Sequence, residues 1–459
     1  MTTVLEEFKY SIVPYTKGRG IQLMAPEETE KLYAHFIASA PEDLYLIANG
    51  ILDFIVVASG IPLDLEMFWK KIKQGGHLVL FQPGGCGGIM AQIGGFDFLI
   101  SERLDNAFFQ VFRKRCDRRS TFPYRDPKPE KTCAVIRYGG FGDMIQLSSI
   151  LPHLKAEGYH ITVYTGPNGV DIITHDPNID KIISQQKEQV PNLELGPYWS
   201  VLEKKYDRFI NLSESVEGTM LALPGRPNHR WSDRVRHQMM NVNYSEFIHS
   251  LAGVPVEHPL QIRFYPSSKE RKWAKKQRRK ISGPVIMWVM TGSAVHKVWP
   301  YFDQAVARVL LQYPDAHIVV VGDEISQLGV SGWEAEPRIH DKCGKWSIRN
   351  TLAYAETVDM VVGPETGVMN AVAMLDMPKV LFLSHSSPEN LPKHWANCYS
   401  LTPESCPCYP CHRMHYGFEY CHRNDETGVA DCQAKISADA FWAAFVSAVE
   451  PKSQIIRAA

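Results

Sequence analysis

Asp143 ends the run Arg137-Tyr-Gly-Gly-Phe-Gly-Asp143, with Gly139, Gly140 and Gly142 just before it and a helical pattern after it. Glycines let backbone N–H groups turn toward a ligand, and the start of the following helix favours negative charge. A carboxylate held there stays ionised, which suits a general base. The same position also suits a residue that only caps the helix. A second constellation is Thr291-Gly292-Ser293 with Lys297 four residues on. After a strand, such a loop supplies backbone and hydroxyl donors to a diphosphate, and the lysine adds positive charge. The alternative is a surface loop with a solvated lysine.

The third constellation is made of thiols. The chain has ten cysteines, of which five lie between Cys406 and Cys432. Cys408 and Cys411 form a CxxC, followed by Cys421 and Cys432. Four thiolates with one tight pair can enclose a tetrahedral Zn or Fe ion, and four protein ligands leave no position open for catalysis. Cys406 could take the place of Cys408, and His412, His415 and His422 are lesser candidates. The alternative is a set of unpaired thiols. Clustering in a reducing compartment favours metal over disulfides.

These residues need a frame. Cys133–Arg137, Ile161–Thr165 and Phe209–Leu212 read as short apolar strands alternating with helical stretches. The pattern restarts with strands expected at Pro284–Met290, Ala316–Val321, Met360–Gly363 and Lys379–Leu383. Strands alternating with helices imply parallel sheets covered on both faces, hence an α/β class and two successive Rossmann-like domains. Between them Lys269–Lys280 reads as a solvated basic helix. Upstream, Asp53–Ala58 reads as a strand, Leu65–Ile72 as a helix and Gly75–Phe81 as a turn and strand. The charged, proline-bearing run Tyr124–Lys131 reads as a linker. Ala438–Val449 should be a helix packed on the body of the protein.

A chain of 459 residues suggests two to four domains, and 45% hydrophobic with 22% charged residues is a globular composition. The net charge of −1 argues against a general nucleic-acid or membrane-surface binder. No apolar stretch reaches the ~20 residues that span a bilayer, and the N-terminus lacks the pattern of a secretory signal. The expected location is the cytoplasm, free or peripheral to the inner face of the membrane.

The segment from Arg137 to Thr165, with His175–Ile183 and Tyr206–Leu212, resembles the opening of glycosyltransferase family 9, the heptosyltransferase family. Trp288–Ser293 with Lys297-Val-Trp-Pro300 resembles that family's strand, small-residue loop and Lys-x-Trp-Pro element. Pro314–Asp323, Gly344–Leu352 and Asp359–Ala373 follow in family order. The resemblance implies a GT-B fold of two facing Rossmann-like domains, with Asp143 as the base that deprotonates an acceptor hydroxyl. It also implies an inverting transfer without a catalytic divalent ion. Thr366 and Gly367 stand in the family's Asp-Thr-Gly and open a helix whose first N–H groups can face the nucleotide diphosphate. Glu365 replaces the usual Asp and keeps its charge. Asn370 replaces the usual His, which puts ADP-heptose itself in doubt as donor. Some family members carry a C-terminal Cys-rich iron site.

The N-terminal segment resembles the later half of class I methyltransferases, but Ile21–Pro26 lacks the glycines of a cofactor loop. A shortened, inactive relative that does not bind S-adenosylmethionine is expected, serving acceptor recognition or assembly. The division is then 1–125 for this smaller α/β domain, 131–270 for an acceptor domain and 281–459 for a donor domain with a metal knuckle at 406–432. The function expected is transfer of heptose or a related sugar from a nucleoside-diphosphate donor, one resembling ADP-heptose, to a glycan or protein acceptor, in a monomer or a homo-oligomer. The competing readings are a silent nucleotide-sugar-binding protein and a bifunctional methyl- and glycosyltransferase.

Overall fold

The computed structural model describes residues 4–23, 34, 36–38, 41–58, 61, 63–83, 95–105, 107–115, 129–186, 189–213 and 215–457. Met24–Pro26, Cys86, Cys116 and most of the expected linker, residues 124–128, lie outside them. Two compact units are present, one of residues 1–134 with 183–209 and one of residues 135–182 with 210–459.

The first unit is built on a six-stranded sheet. Its strands are β1 (Gly20–Leu23), β2 (Phe36–Ala38), β3 (Leu52–Val57), β4 (Ile72–Pro83), β5 (Phe96–Leu104) and β6 (Ala107–Lys114), in the order β2-β1-β3-β4-β6-β5. The first four pair in parallel, while β6 runs antiparallel to both β4 and β5. Alternate residues feed two cores. Ile55, Val57, Leu78 and Leu80 pack with Phe68 of the helix Leu65–Lys71. Phe54, Val56, Val79 and Phe81 pack with Phe8 of the helix Val4–Ser11. Burial on both faces is what the near-continuous apolar run of β3 requires.

A four-stranded sheet carries the first glycine loop. It contains β7 (Thr132–Ile136), β8 (His160–Thr165), β9 (Lys181–Ser184) and β10 (Arg208–Asn211), in the order β10-β7-β8-β9. The helices Phe141–Leu147 and Leu151–Ala156 follow β7. The last sheet contains β11 (Val285–Val289), β12 (His317–Val321), β13 (Ile339–Asp341), β14 (Met360–Pro364), β15 (Lys379–Phe382) and β16 (Cys398–Leu401). All its pairings are parallel and the order is β13-β12-β11-β14-β15-β16. Renumbered within the sheet this is 3-2-1-4-5-6, the doubly wound dinucleotide-binding order. Its core joins Trp288, Phe302 and Phe382 to Phe441 and Phe445 of the long helix Ala438–Arg457.

The basic stretch folds as the helix Ser268–Arg278. Ser267 Oγ accepts the Glu270 N–H and Glu270 accepts the Ser267 N–H in return, a reciprocal cap. Glu270 also grips Arg349 at 2.6 Å. Lys269, Arg271, Lys272, Lys275, Lys276, Arg279 and Lys280 are exposed, as a solvated helix should be. No helix among the described residues is long and apolar enough to cross a membrane.

Candidate functional site

Asp143 sits at the third position of the helix Phe141–Leu147 and reaches back to the Gly140 N–H, with Oδ2 at 2.7 Å. The capping contact foreseen as the plain alternative is therefore present. It is not the whole environment. The guanidinium of Arg137, only 1% exposed, lies 2.7 Å from Oδ1, and the Tyr244 hydroxyl donates to the same oxygen. Burial pushes the Asp143 carboxyl upward, but Arg137, Tyr244 and Gly140 outweigh it and hold the group below its ordinary value. The carboxylate is ionised near neutral pH and its side chain keeps 22% exposure. Gly139 is required here because a Cβ at that position would lie 2.6 Å from Oδ2.

Arg137 directly follows β7 and is anchored by four partners. Nη1 donates to Leu212 O and Glu217 Oε2, each at 3.0 Å, and Nη2 to the Tyr244 hydroxyl at 3.0 Å and to Asp143. Tyr244 opens the helix Tyr244–Ala252, which is fixed by the Asn243 side chain accepting from Ser245 and Glu246 N–H. The Glu217 carboxyl is raised by burial and by the neighbouring Asp143, against the pull of Arg137.

The second cluster lies at the C-terminal ends of β11 and β14. Those two strands are neighbours in the sheet, and the chain order reverses between them. Crevices outside such a switch point are where doubly wound sheets bind ligands. Thr291, Gly292 and Ser293 follow β11 there, while Glu365, Thr366 and Gly367 follow β14. The Lys297 side chain passes over Gly292, where an added Cβ would meet Lys297 Cδ at 2.6 Å and Thr366 Cγ2 at 3.2 Å. Lys297 is 8% exposed, and its ammonium makes no ion pair or hydrogen bond with any described residue. Burial lowers its pKa, opposed by the charges of Glu365 and Asp143. Two residues on, Trp299 stacks on Phe382 at 4.6 Å and donates to Ile436 O, so the lysine leaves a rigid base.

Not every residue singled out in sequence faces open space. Glu365 is 3% exposed, and its carboxylate accepts from the Ser384 N–H, the Ser384 and Ser386 hydroxyls and His385 Nδ1. Burial raises the acid, but His385, Lys297 and Ser386 bring it down to about 2. The charge kept at this position is spent on the 384–386 loop. Asn370 is likewise engaged at both ends, donating to Thr366 O at 2.9 Å and accepting from Gln146 Nε2 at 2.7 Å. It ties the helix Gly367–Val372 to the helix carrying Asp143. Thr291 Oγ1 pairs with Ser326 Oγ at 2.9 Å, and Ser293 is exposed. Thr366 Oγ1 is buried without a partner among the described residues.

Sequence reasoning missed Tyr244, Glu217, Gln146 and the 384–386 loop, and gave Arg137 no role. It also missed His296, whose Nδ1 meets Ser384 Oγ at 2.8 Å while Nε2 is buried without a partner among the described residues. An arginine at the end of an apolar strand was the one available signal.

Cys408, Cys411, Cys421 and Cys432 line one cavity of about 50 Å³, with His296 and Ser384 on its wall. All four are free thiols. Four thiols around one space suit a soft metal in donor chemistry. Among the described residues no group of three or more His, Cys, Asp or Glu is spaced to hold a metal. The thiols are turned to other partners, Cys408 to Cys406 at 3.7 Å and Cys411 to His415 at 3.8 Å.

No known protein family's sequence profile matches the chain, and no curated protein does. Solved structures similar to it include the ADP-heptose LPS heptosyltransferase II of E. coli, at 16% identity and a TM-score of 0.49, over 70% of this chain and 99% of that one. A family 9 glycosyl transferase from Veillonella parvula is similar at 16% identity and a TM-score of 0.45, over 59% of this chain and 86% of that one. The iron-containing dodecameric glycosyltransferase TibC of enterotoxigenic E. coli is similar at 12% identity and a TM-score of 0.48, over 75% and 86%. At these identities and TM-scores the chemistry has to be argued from the chain's own residues.

Proposed function

We propose that this α/β chain is a GT-B glycosyltransferase that moves a sugar, heptose or a related one, from a nucleoside-diphosphate donor to a hydroxyl of a glycan or protein. Residues 131–270 are the acceptor domain and residues 281–459 the donor domain. One observation carries the reading. The Lys297 side chain, 8% exposed and without an ion pair or hydrogen bond among the described residues, lies at the switch point of a doubly wound sheet, between the Thr291–Ser293 loop and Thr366. A largely buried cation with no direct ion-pair partner is costly, and a diphosphate is a ligand that neutralises it while accepting from the surrounding N–H and hydroxyl donors.

In the proposed reaction Asp143 removes the proton of the acceptor hydroxyl as its oxygen bonds to the anomeric carbon. The bond from that carbon to the phosphate oxygen breaks on the opposite side, so configuration inverts. Lys297 takes up the charge that develops on the leaving diphosphate. Gly139, Gly140 and Gly142 keep the acceptor-side loop open beside the base. Glu365 and Asn370 act on the donor by positioning the loop and helix around it, since their polar atoms are already engaged.

The thiols of Cys408, Cys411, Cys421 and Cys432 are proposed to close on one structural Zn or Fe ion, which would order the 406–432 segment. Residues 1–125 are read as a degenerate methyltransferase-like domain without S-adenosylmethionine. The test of the function is calorimetry with a panel of nucleoside diphosphates and their sugars, paired with mass spectrometry of sugar release. Asp143→Asn should keep donor affinity and lower turnover by a factor on the order of 10²–10⁴. Turnover equal to wild type would remove Asp143 from the chemistry. Binding without any turnover in the wild type would favour the silent sugar-nucleotide-binding reading.

A further inference from the structure

A base must change charge during its reaction, and the surroundings of Asp143 raise the question of how a buried cation tolerates that. Arg137 is 1% exposed, so water cannot replace a lost counter-ion. Each of its terminal nitrogens has two acceptors, Nη1 with Leu212 O and Glu217, Nη2 with Tyr244 and Asp143. The guanidinium therefore bridges two carboxylates. If Asp143 alone faced it, each protonation of the base would strand a buried positive charge, and the proton would be resisted.

We propose that Glu217 is the standing counter-ion that lets Asp143 accept a proton, and that Tyr244 directs that proton to Oδ2. This rests on the reading of Asp143 as the base. While Asp143 is ionised, the two carboxylates share Arg137. Once the acceptor's proton is on Asp143, Glu217 alone keeps the guanidinium paired. Oδ1 is filled by two donors, Arg137 and the Tyr244 hydroxyl, whereas among the described residues Oδ2 accepts only the Gly140 N–H at 2.7 Å. Oδ2 also faces the space left by the missing side chain of Gly139. The free lone pair of Oδ2 is thus the one an acceptor hydroxyl can reach. Tyr244 and Glu217 are positioning residues, acting through Asp143 and Arg137. The charge of Lys297 also acts on this carboxylate.

The two residues pull in opposite directions, which gives the test. Glu217→Gln hands the guanidinium wholly to Asp143. The acid limb of kcat/KM should move down by about one pH unit, and the plateau rate should fall roughly tenfold as the base weakens. Tyr244→Phe removes a donor from Oδ1, and the acid limb should move up by about half to one unit with donor affinity unchanged. Glu217→Asp keeps the charge and should restore the wild-type limb. The same shifts should appear in the carboxyl band of ¹³C-aspartate-labelled full-length protein, titrated by infrared spectroscopy without substrate. Shifts of the same sign in Glu217→Gln and Tyr244→Phe, or none in either, overturn the proposal. If Glu217→Gln does not fold, the direction of the Tyr244→Phe shift decides. Infrared shifts of opposite sign with an unmoved rate profile uphold the control of Asp143 and remove it as the base.

Discussion

Lys297→Met replaces a buried ammonium by an apolar chain of similar length, and it should act in opposite senses on the empty and the loaded protein. In the empty protein the lysine is 8% exposed, has no ion pair or hydrogen bond among the described residues, and has its pKa lowered by burial. Such a charge burdens the fold, so methionine should stabilise the empty protein, by on the order of 1 kcal/mol. A phosphate oxygen about 4 Å from the ammonium gains about 4 kcal/mol at an effective dielectric of ~20. The hydration given up by a diphosphate offsets much of this, leaving about 1.5–3 kcal/mol for a charged contact. Affinity for nucleoside diphosphate should therefore fall roughly 10- to 150-fold. The pH dependence follows from the same shift. The folded pKa lies below the ordinary 10.5, so the unfolded chain binds more protons between the two values. Stability should rise with pH across that window in wild type and be flat there in the variant. Diphosphate restores the proton, so calorimetry in buffers of different ionisation enthalpy should show proton uptake on binding near the lowered pKa. Thermal denaturation and calorimetry on both proteins settle the matter. Equal dissociation constants would place Lys297 outside the site, and a less stable empty variant would show the ammonium to be paired after all.

Glu365→Gln tests the buried carboxylate under the 384–386 loop. Its pKa of about 2 lies below the ordinary 4.5, so its contribution is complete above pH 4.5 and is lost as pH falls toward 2. The wild type should lose about 3 kcal/mol more than the variant across that range, and parallel acid-unfolding curves would refute the assignment. For the thiols, elemental analysis should find about one Zn or Fe per chain, and Cys→Ser at 408, 411, 421 or 432 should release it and make the 406–432 segment sensitive to protease. Protein with neither metal, in which all four thiols react freely in the native state, would end the metal proposal.

The strands that carry the proposed donor site were legible because they are buried on both faces. β11, β12, β14 and β15 are apolar runs, and each was expected within a residue or two of its observed ends. The two edge strands were not seen. β13 is Ile-His-Asp and β16 is Cys-Tyr-Ser-Leu, short, polar and only partly buried, as edges are. Yet they complete the 3-2-1-4-5-6 order that locates the crevice. At the site itself, glycine spacing pointed to both loops, but the partners of Asp143 left no local trace. Glu217 and Tyr244 stand 80 and 107 positions from Arg137 and meet it only through tertiary folding. Asn370 and Glu365 were read as ligand contacts from their place in a motif. A motif gives position, and only the fold reveals that their hydrogen-bonding capacity is already used.

The thiol segment meets the loops of the proposed donor site through its backbone. The Val295 N–H, two residues before Lys297, donates to His415 O at 3.0 Å, and the His412 N–H donates to His385 O at 2.9 Å. The first bond fixes the loop that carries the buried ammonium, and the second fixes the loop that holds Glu365. The segment is tied on its other side as well, with the Ala222 N–H donating to His412 O and Arg236 Nε to Cys411 O at 2.6 Å. Between Ser405 and Asp431 the chain has few aliphatic side chains that could enforce such an arrangement by packing. Cross-linking by the proposed metal would add to the order these hydrogen bonds supply. On this argument the knuckle and the donor loops form one mechanical unit. Loosening the thiols should therefore weaken diphosphate binding at the proposed Lys297 site through these backbone bonds.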